Sequence, residues 1–325
     1  MMILYAYKSA RNNKAKNVFS IDVRRNKEGL DFFVFFMTNR TDFHIAIISV
    51  YLITSILSII ECMKITIVTL FPKMIEGFIQ NSIIKRAQTK GVVEINIVNL
   101  RDFARDSYGT VDERPYGGGA GMVLCVDVLK KALSFATNDL DQRSIALWAK
   151  PPAPDKKVIL TSARGTPFSQ NKAQEFSKLK ELIIFAGHYE GFDERFSDYI
   201  DEEISLGDFV MTGGELTAAA VCDAVVRLLP GVLKKENATT EETFFKSSIH
   251  YLIALLGNHP TLLALQKKGV TEVQLLEYPQ YTRPEEFDGK KVPEILLSGD
   301  PKKIKKWQYQ KALEATLKKR PDLLS

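Results

Sequence analysis

The chain has 325 residues, 45% of them hydrophobic and 26% charged, which is enough apolar surface for one large core or two ordinary ones and excludes a disordered chain. A net charge of +5 suits an anionic partner without naming one. Three cysteines, at positions 62, 125 and 222, and four histidines in no ligand spacing exclude a disulfide framework and leave no legible metal site; they fit a reducing, cytoplasmic setting.

A stretch rich in Lys and Arg, from Lys8 to Lys27, precedes an apolar run from Ile45 to Ile60 that is broken only by Ser49, Thr54, Ser55 and Ser58. That order is the pattern of a signal anchor. The run is nonetheless shorter than the roughly 20 residues a bilayer span needs, and no small-residue cleavage site follows it. Residues 1–62 are therefore read as an N-terminal extension ahead of the functional protein, the alternative being a membrane anchor. No stable membrane association is expected.

Met63 opens a patterned sequence in which Lys64 to Leu70 reads as a buried strand and Pro72 starts a helix reaching about Gln88. An alternating strand, Val93 to Val98, a long polar loop through Met122 and a helix from Val126 to Phe135 follow. Residues Ala136 to Asp155, with Pro151, Pro152 and Pro154, read as a surface connection. Three strands then come in close succession, Lys157 to Thr161, Leu182 to Ala186 and Glu202 to Ser205. Each runs into a glycine-containing loop: Ser162 to Gly165, Gly187 to Gly191, and Leu206 to Gly214. In open α/β sheets ligands bind beyond the carboxyl ends of the strands, where glycine lets backbone approach them, so three such loops predict one pocket. Taken singly, each glycine reads equally well as a tight turn.

A helix from Glu215 to Leu229 presents Ala219, Cys222, Val226 and Leu229 on one face and is stopped by Pro230-Gly231. A polar linker follows, and the remainder shows helical periodicity without strands. Its last helix, Pro301 to Arg320, sets Lys302, Lys303, Lys305, Lys306, Lys311, Lys318, Lys319 and Arg320 around Trp307 and Tyr309. Basic residues among aromatics suit phosphate contact and base stacking, and they equally describe a solvated helix. The whole from Met63 on is α/β, with an open, mainly parallel sheet.

No G-x-G-x-x-G follows the first strand, which disfavours an ordinary dinucleotide or Rossmann methyltransferase domain. Four longer motifs carry a different likeness. They are Val111-Asp112-Glu113-Arg114-Pro115-Tyr116-Gly117-Gly118-Gly119-Ala120-Gly121-Met122, Gly187 to Arg195, Gly207 to Leu216, and Tyr278-Pro279-Gln280-Tyr281-Thr282-Arg283-Pro284. In this order they closely resemble the signatures of the bacterial tRNA (guanine-N1)-methyltransferases, the TrmD family of the SPOUT class, from Met63 to the end of the chain.

That resemblance implies a SPOUT-type sheet with a deep trefoil knot at residues 63–231, a linker at 232–245 and a small helical tRNA-binding domain at 246–325. It also implies a homodimer with its active sites at the subunit interface. S-adenosyl-L-methionine would be held bent by Leu160, Thr161, Ser162 and Gly165, by Gly187, Tyr189 and Glu190, and by Leu206, Gly207, Phe209, Met211, Gly213 and Gly214, with Glu190 facing its charged end. Asp112, Arg114 and Tyr116 would contact tRNA.

The reaction implied is methylation of N1 of the guanosine 3′ of the anticodon, position 37. Guanine N1 carries a proton, so the chemistry needs a base for it and a cation or donor for the charge gathering on O6. The family places an Arg at the position of Arg227 and an Asp at that of Glu242; here the carboxylate is one methylene longer, and Glu241 beside it is a substitute candidate. The sequence from Ile249 to Leu256, then Gly257-Asn258-His259-Pro260 and a second apolar segment, reads as an insertion at about 246–273 forming a helical hairpin. Two further readings remain open: a SPOUT ribose 2′-O-methyltransferase, and an RNA-binding protein without catalysis.

Overall fold

The computed structural model describes residues 21–26, 29–34, 62–137, 155–234 and 242–324. The chain divides into two units, Met1–Glu61 and Cys62–Ser325. In the first, β1 (Ile21–Asn26) and β2 (Gly29–Val34) pair antiparallel. The apolar run of residues 45–60 lies outside the described residues, as do residues 138–154 of the expected surface connection.

The second unit is built on a five-stranded sheet. Its strands are β3 (Met63–Thr69), β4 (Val93–Asn99), β7 (Lys156–Pro167), β8 (Glu181–Phe185) and β9 (Glu202–Ser205), in the order β4-β3-β8-β7-β9 with every neighbouring pair parallel. β3 and β8 are near-continuous apolar runs because both faces of the sheet are covered. On one face α1 (Pro72–Ile79), α2 (Ser82–Thr89) and α5 (Glu215–Val226) bury Ile65, Ile67, Leu182 and Ile184. On the other, α3 (Val126–Ala136) covers Val68, Val158, Ile183 and Phe185. The short strands β5 (Asp112–Glu113) and β6 (Val123–Leu124) close a hairpin ahead of α3, and α4 (Gln170–Phe176) links β7 to β8.

Four local expectations are corrected. The single helix from Pro72 to Gln88 is two helices, because Asn81 is extended and its side-chain amide donates to Gly77 O at 2.6 Å, competing with the helical ladder. The third-from-last sheet strand does not stop at Thr161; β7 runs on to Pro167, and the expected loop Ser162 to Gly165 is a bulge, with both Thr161 and Thr166 opposite Ile204. The helix from Glu215 ends at Val226, its last turn tightening through Leu229 N–H to Val226 O at 3.1 Å. Its buried face comprises Ala218, Val221, Cys222, Val225 and Val226, with Ala219 only partly buried against it.

The fourth correction concerns the C-terminal region, which is not free of strands. β10 (Phe245–Ser248) pairs antiparallel with β11 (Glu272–Leu275), and β12 (Glu286–Phe287) with β13 (Lys290–Lys291). In β10 the buried positions are Phe245 and Ser247, so a polar residue stands where an apolar one would have revealed the two-residue period. The last hairpin turns on Asp288-Gly289, both with positive φ, the geometry of a two-residue turn that favours this dipeptide. Between β10 and β11, α6 (Ile249–Leu256) and α7 (Pro260–Lys267) supply Ile249, Leu252 and Leu262 to a third hydrophobic cluster. After the short α8 (Glu294–Leu297), α9 (Pro301–Lys319) completes that cluster with Tyr309, Ala312 and Leu313.

Candidate active site

Because β7, β8 and β9 are parallel, their carboxyl ends lie on one edge of the sheet, and the three segments beyond them enclose a cleft of about 350 Å³. Its lining includes Leu160, Thr161 and Ser162; Gly187, Tyr189 and Glu190; and Leu206, Gly207, Phe209, Met211, Gly213 and Gly214. Gly165 does not line it. A Cβ there would stand 2.7 Å from the backbone of Glu203 and Ile204, so this glycine lets the bulged β7 rejoin its neighbour.

The cleft is held by backbone groups gathered around one hydroxyl. Thr161 Oγ1 donates to Phe185 O at 3.2 Å and accepts from Gly187 N–H at 3.0 Å, and Gly214 N–H donates to Gly187 O at 2.6 Å. A side chain on Gly187 would press within 2.7 Å of the Phe192 ring, and one on Gly214 within 2.7 Å of Gly187 N. These two glycines are required by loop packed on loop, a reason the sequence does not show. Tyr189 holds a φ of 58°, a left-handed conformation that costs a non-glycine residue energy and is stored where loops are over-determined by their contacts. Ser205 closes the third loop by accepting from Gly207 N–H at 3.1 Å.

The glycine-rich hairpin 112–122 docks on the second loop: Glu190 N–H donates to Met122 O, and Leu124 N–H to Gly191 O, each at 3.0 Å. A Cβ on Gly121 would collide with the Glu190 carboxylate, so that carboxylate lies directly over the hairpin. Arg114 and Tyr116 are exposed and Asp112 is half-buried in β5; none of the three lines the cleft. At the hairpin's base Arg105 grips Asp127 through three bonds of 2.6 to 3.1 Å. That grip raises the Arg105 guanidinium above its ordinary value and holds the Asp127 carboxyl below its own.

Arg227 and Glu242 are brought together, away from the cleft lining. They form a two-bond fork, Nη1 to Oε2 and Nη2 to Oε1, both 2.7 Å, with each side chain about a third exposed. The bond to Glu242 raises the Arg227 guanidinium further above its ordinary value. Glu241 lies outside the described residues. Ala163, Arg164 and His188 also line the cleft and lie within the loops expected to form it, whereas Phe192 and Thr217 line it outside those loops and Glu215 is buried at the start of α5. Phe192 and Glu215 stand inside the signature motifs Gly187 to Arg195 and Gly207 to Leu216, while no local signal distinguishes Thr217. Among the described residues no group of His, Cys, Asp or Glu is placed to hold a metal. The Cys222 thiol is pushed up to about 12 by burial, which disfavours its thiolate.

A parallel α/β sheet with glycine loops gathered beyond its strand ends defines a ligand-binding α/β domain of the kind that seats a cofactor at the carboxyl edge. The family model for tRNA (Guanine-1)-methyltransferase TrmD matches residues 63–325, and the chain belongs to that family. It is 44% identical over 262 residues to the tRNA (guanine-N(1)-)-methyltransferase of Syntrophomonas wolfei, covering 81% of this chain and 90% of the relative. Relatives of the same description from Dictyoglomus turgidum, 43% identical over 262 residues, and Clostridium beijerinckii, 44% over 261, cover 81% and 80% of this chain and 90% and 92% of their own lengths.

Proposed function

We propose that this protein methylates N1 of the guanosine at position 37 of tRNA, 3′ of the anticodon, using S-adenosyl-L-methionine. The observation that carries the reading is the convergence of three signature loops on one cleft lined by backbone and glycine. The residues present fit the donor. Loop backbone offers hydrogen-bonding groups to its adenosine and amino-acid ends, Phe209 and Tyr189 offer apolar and aromatic surface, and the Glu190 carboxylate answers its positive charge. S-adenosylmethionine supplies the electrophilic methyl group.

Arg227 and Glu242 are the groups for the base. Glu242 takes the N1 proton, which frees the nitrogen's electron pair, and Arg227 holds the charge that collects on O6. Their fork has to open for this, since each now occupies the other. Gly214 lies at one end of α5 and Arg227 at the other, roughly 20 Å of helix apart at 1.5 Å per residue, too far for one methyl transfer. That separation supports a homodimer in which one protomer's cleft faces its partner's Arg227 and Glu242, and exposed Val210, which lines the cleft, and exposed Leu216 are apolar surface such an interface would cover. Asp112, Arg114 and Tyr116 on the hairpin, and the basic α9, are the tRNA contacts, and the linker with the 246–273 segment sets where Glu242 sits. The family likeness adds a trefoil knot at the cleft loops and a C-terminal tRNA-binding domain. Among the described residues no helix is long and apolar enough to cross a membrane; the cytoplasm, where tRNA is found, is the compartment this reading needs.

The test is to incubate the full chain with methyl-labelled donor and tRNA and map the product. 1-Methylguanosine at position 37 is the expected outcome. A labelled ribose, or no transfer despite tRNA binding, would replace the reading with a 2′-O-methyltransferase or a non-catalytic RNA-binding protein. Mixing an Arg227→Ala chain with one carrying a ruined cleft should restore part of the activity if the site is shared between protomers.

A further inference from the structure

Behind the cleft lining, against His188 and Gly213, sits a carboxylate with an unused acceptor. Glu215, the first residue of α5, is 1% exposed; its Oε1 accepts from Thr69 Oγ1 at 2.8 Å, while Oε2 is buried without a hydrogen-bond partner. Facing it at 3.7 Å is His188 Nδ1, also buried without one. Two complementary polar groups are thus held just beyond bonding distance, and a shift of under about 1 Å would pair them. The position between them is kept bare: a Cβ on Gly213 would run into both the carboxylate and the imidazole.

His188 connects this pair to the ligand side. Its ring packs on Phe71 at 4.7 Å and edge-on against Tyr189 at 5.0 Å, and its backbone bridges to Gly213. Turning the imidazole toward Glu215 would therefore draw on Tyr189, the residue already held at positive φ on the cleft wall.

We propose that Glu215 is a positioning residue which, through His188, closes the Gly187–Gly191 loop on the methyl donor: when the cleft fills, His188 Nδ1–H donates to Glu215 Oε2 and fixes Tyr189 against the ligand. This rests on the reading that the cleft holds S-adenosylmethionine. The neutral tautomer with its proton on Nδ1 is sufficient, so no change of net charge is required. Donor binding completes a bond that the free loop leaves open, and the buried carboxylate becomes part of the donor's affinity.

Calorimetric titration of the full chain with S-adenosylmethionine tests this in a double-mutant cycle of Glu215→Gln, His188→Ala and the pair together. Glutamine keeps an oxygen for Thr69 while placing an amide where the acceptor was. Each single variant should weaken donor binding about tenfold, and the double variant no further. In turnover the loss should fall on KM for the donor more than on kcat. In wild type, 15N spectra of labelled histidine should show protonated Nδ1 at His188 once donor is added. Gly213→Ala, which leaves the Thr69 bond alone, should reproduce the loss and serves if Glu215→Gln melts below the assay temperature. Losses that multiply in the double variant, unchanged affinity in His188→Ala or Gly213→Ala, or an unprotonated Nδ1 in the filled protein would overturn the positioning role. A wild-type chain that binds no donor removes the cofactor reading itself, a result separable from all of these.

Discussion

The two ends of α5 are built in opposite ways. At its start, Gly214 and Glu215 are buried, and the neighbouring loops are tied by main-chain bonds to Thr161 and Gly187. At its end, Arg227 meets Glu242 through side chains alone, in a fork about a third exposed. Main-chain bonds hold the frame of the first end in one arrangement, whereas two long side chains at a wet edge exchange partners at little cost. The difference fits a division of labour: the end that would receive the donor keeps a main-chain frame within which only the His188 side of one loop has to close, and the end that would handle the base's proton is free to let go of its partner.

Breaking the second end should have the largest effect. Glu242→Gln should slow single-turnover methyl transfer by about 10² to 10⁴, the usual weight of a general base, with donor affinity unchanged. An unchanged rate would move the base elsewhere, to Glu241 first. At the first end, Gly214→Ala forces a Cβ against Gly187 N and the Thr161 hydroxyl. It should weaken donor binding by about 10² and lower stability by roughly 1–3 kcal/mol, read by calorimetry and thermal melting. Full donor affinity in this variant would mean the cleft floor tolerates movement and the contrast between the two ends is false.

Much of the first end was legible in the sequence, and for identifiable reasons. Glycines at 187, 213 and 214 stand out in any reading, and so do apolar strands such as Leu182 to Phe185. What was hidden depended on contacts between distant segments. The bulge in β7 exists because Gly165 can lie on the backbone of Ile204, thirty-nine positions away in the chain. Glu215 reads as an ordinary acidic residue in a helix's first turn; its burial follows from Thr69 on another strand. The pair β10 and β11 was missed since Ser247 fills a buried place and the two strands lie apart in sequence. The hairpin at Asp288-Gly289 does carry a local signal, since an aspartate-glycine step favours a two-residue turn.

A smaller effect sharpens the account of the cleft. Thr161→Val removes the acceptor for the buried Gly187 N–H and one donor to Phe185 O, leaving the Gly187 amide without its partner. The expected cost is about 1–3 kcal/mol in thermal or denaturant unfolding, with donor affinity falling in step as the second loop loosens. A stability loss with full donor affinity would show that Thr161 holds the fold and not the cleft.

The smallest effect calibrates the other end. Arg105 and Asp127 form the same kind of fork as Arg227 and Glu242, at similar exposure, but at the base of a hairpin. Since the guanidinium holds the Asp127 carboxyl below its ordinary value, the pair stabilises the fold fully above the unfolded carboxyl's pKa of about 3.9, and that contribution is lost as pH falls through the lower folded value. Melting temperatures of wild type and Arg105→Gln should therefore differ by a constant, small amount from neutral pH down to about pH 4 and converge in stronger acid. Both side chains are more than a third exposed, so water screens the pair and the constant gap should be a few degrees at most. A small gap means that an exposed fork of this geometry opens readily, as Arg227 and Glu242 must do when the guanine arrives. A large one would mean that their fork is too strong to be opened by an incoming base, and Glu242 would have to be replaced as the proton acceptor.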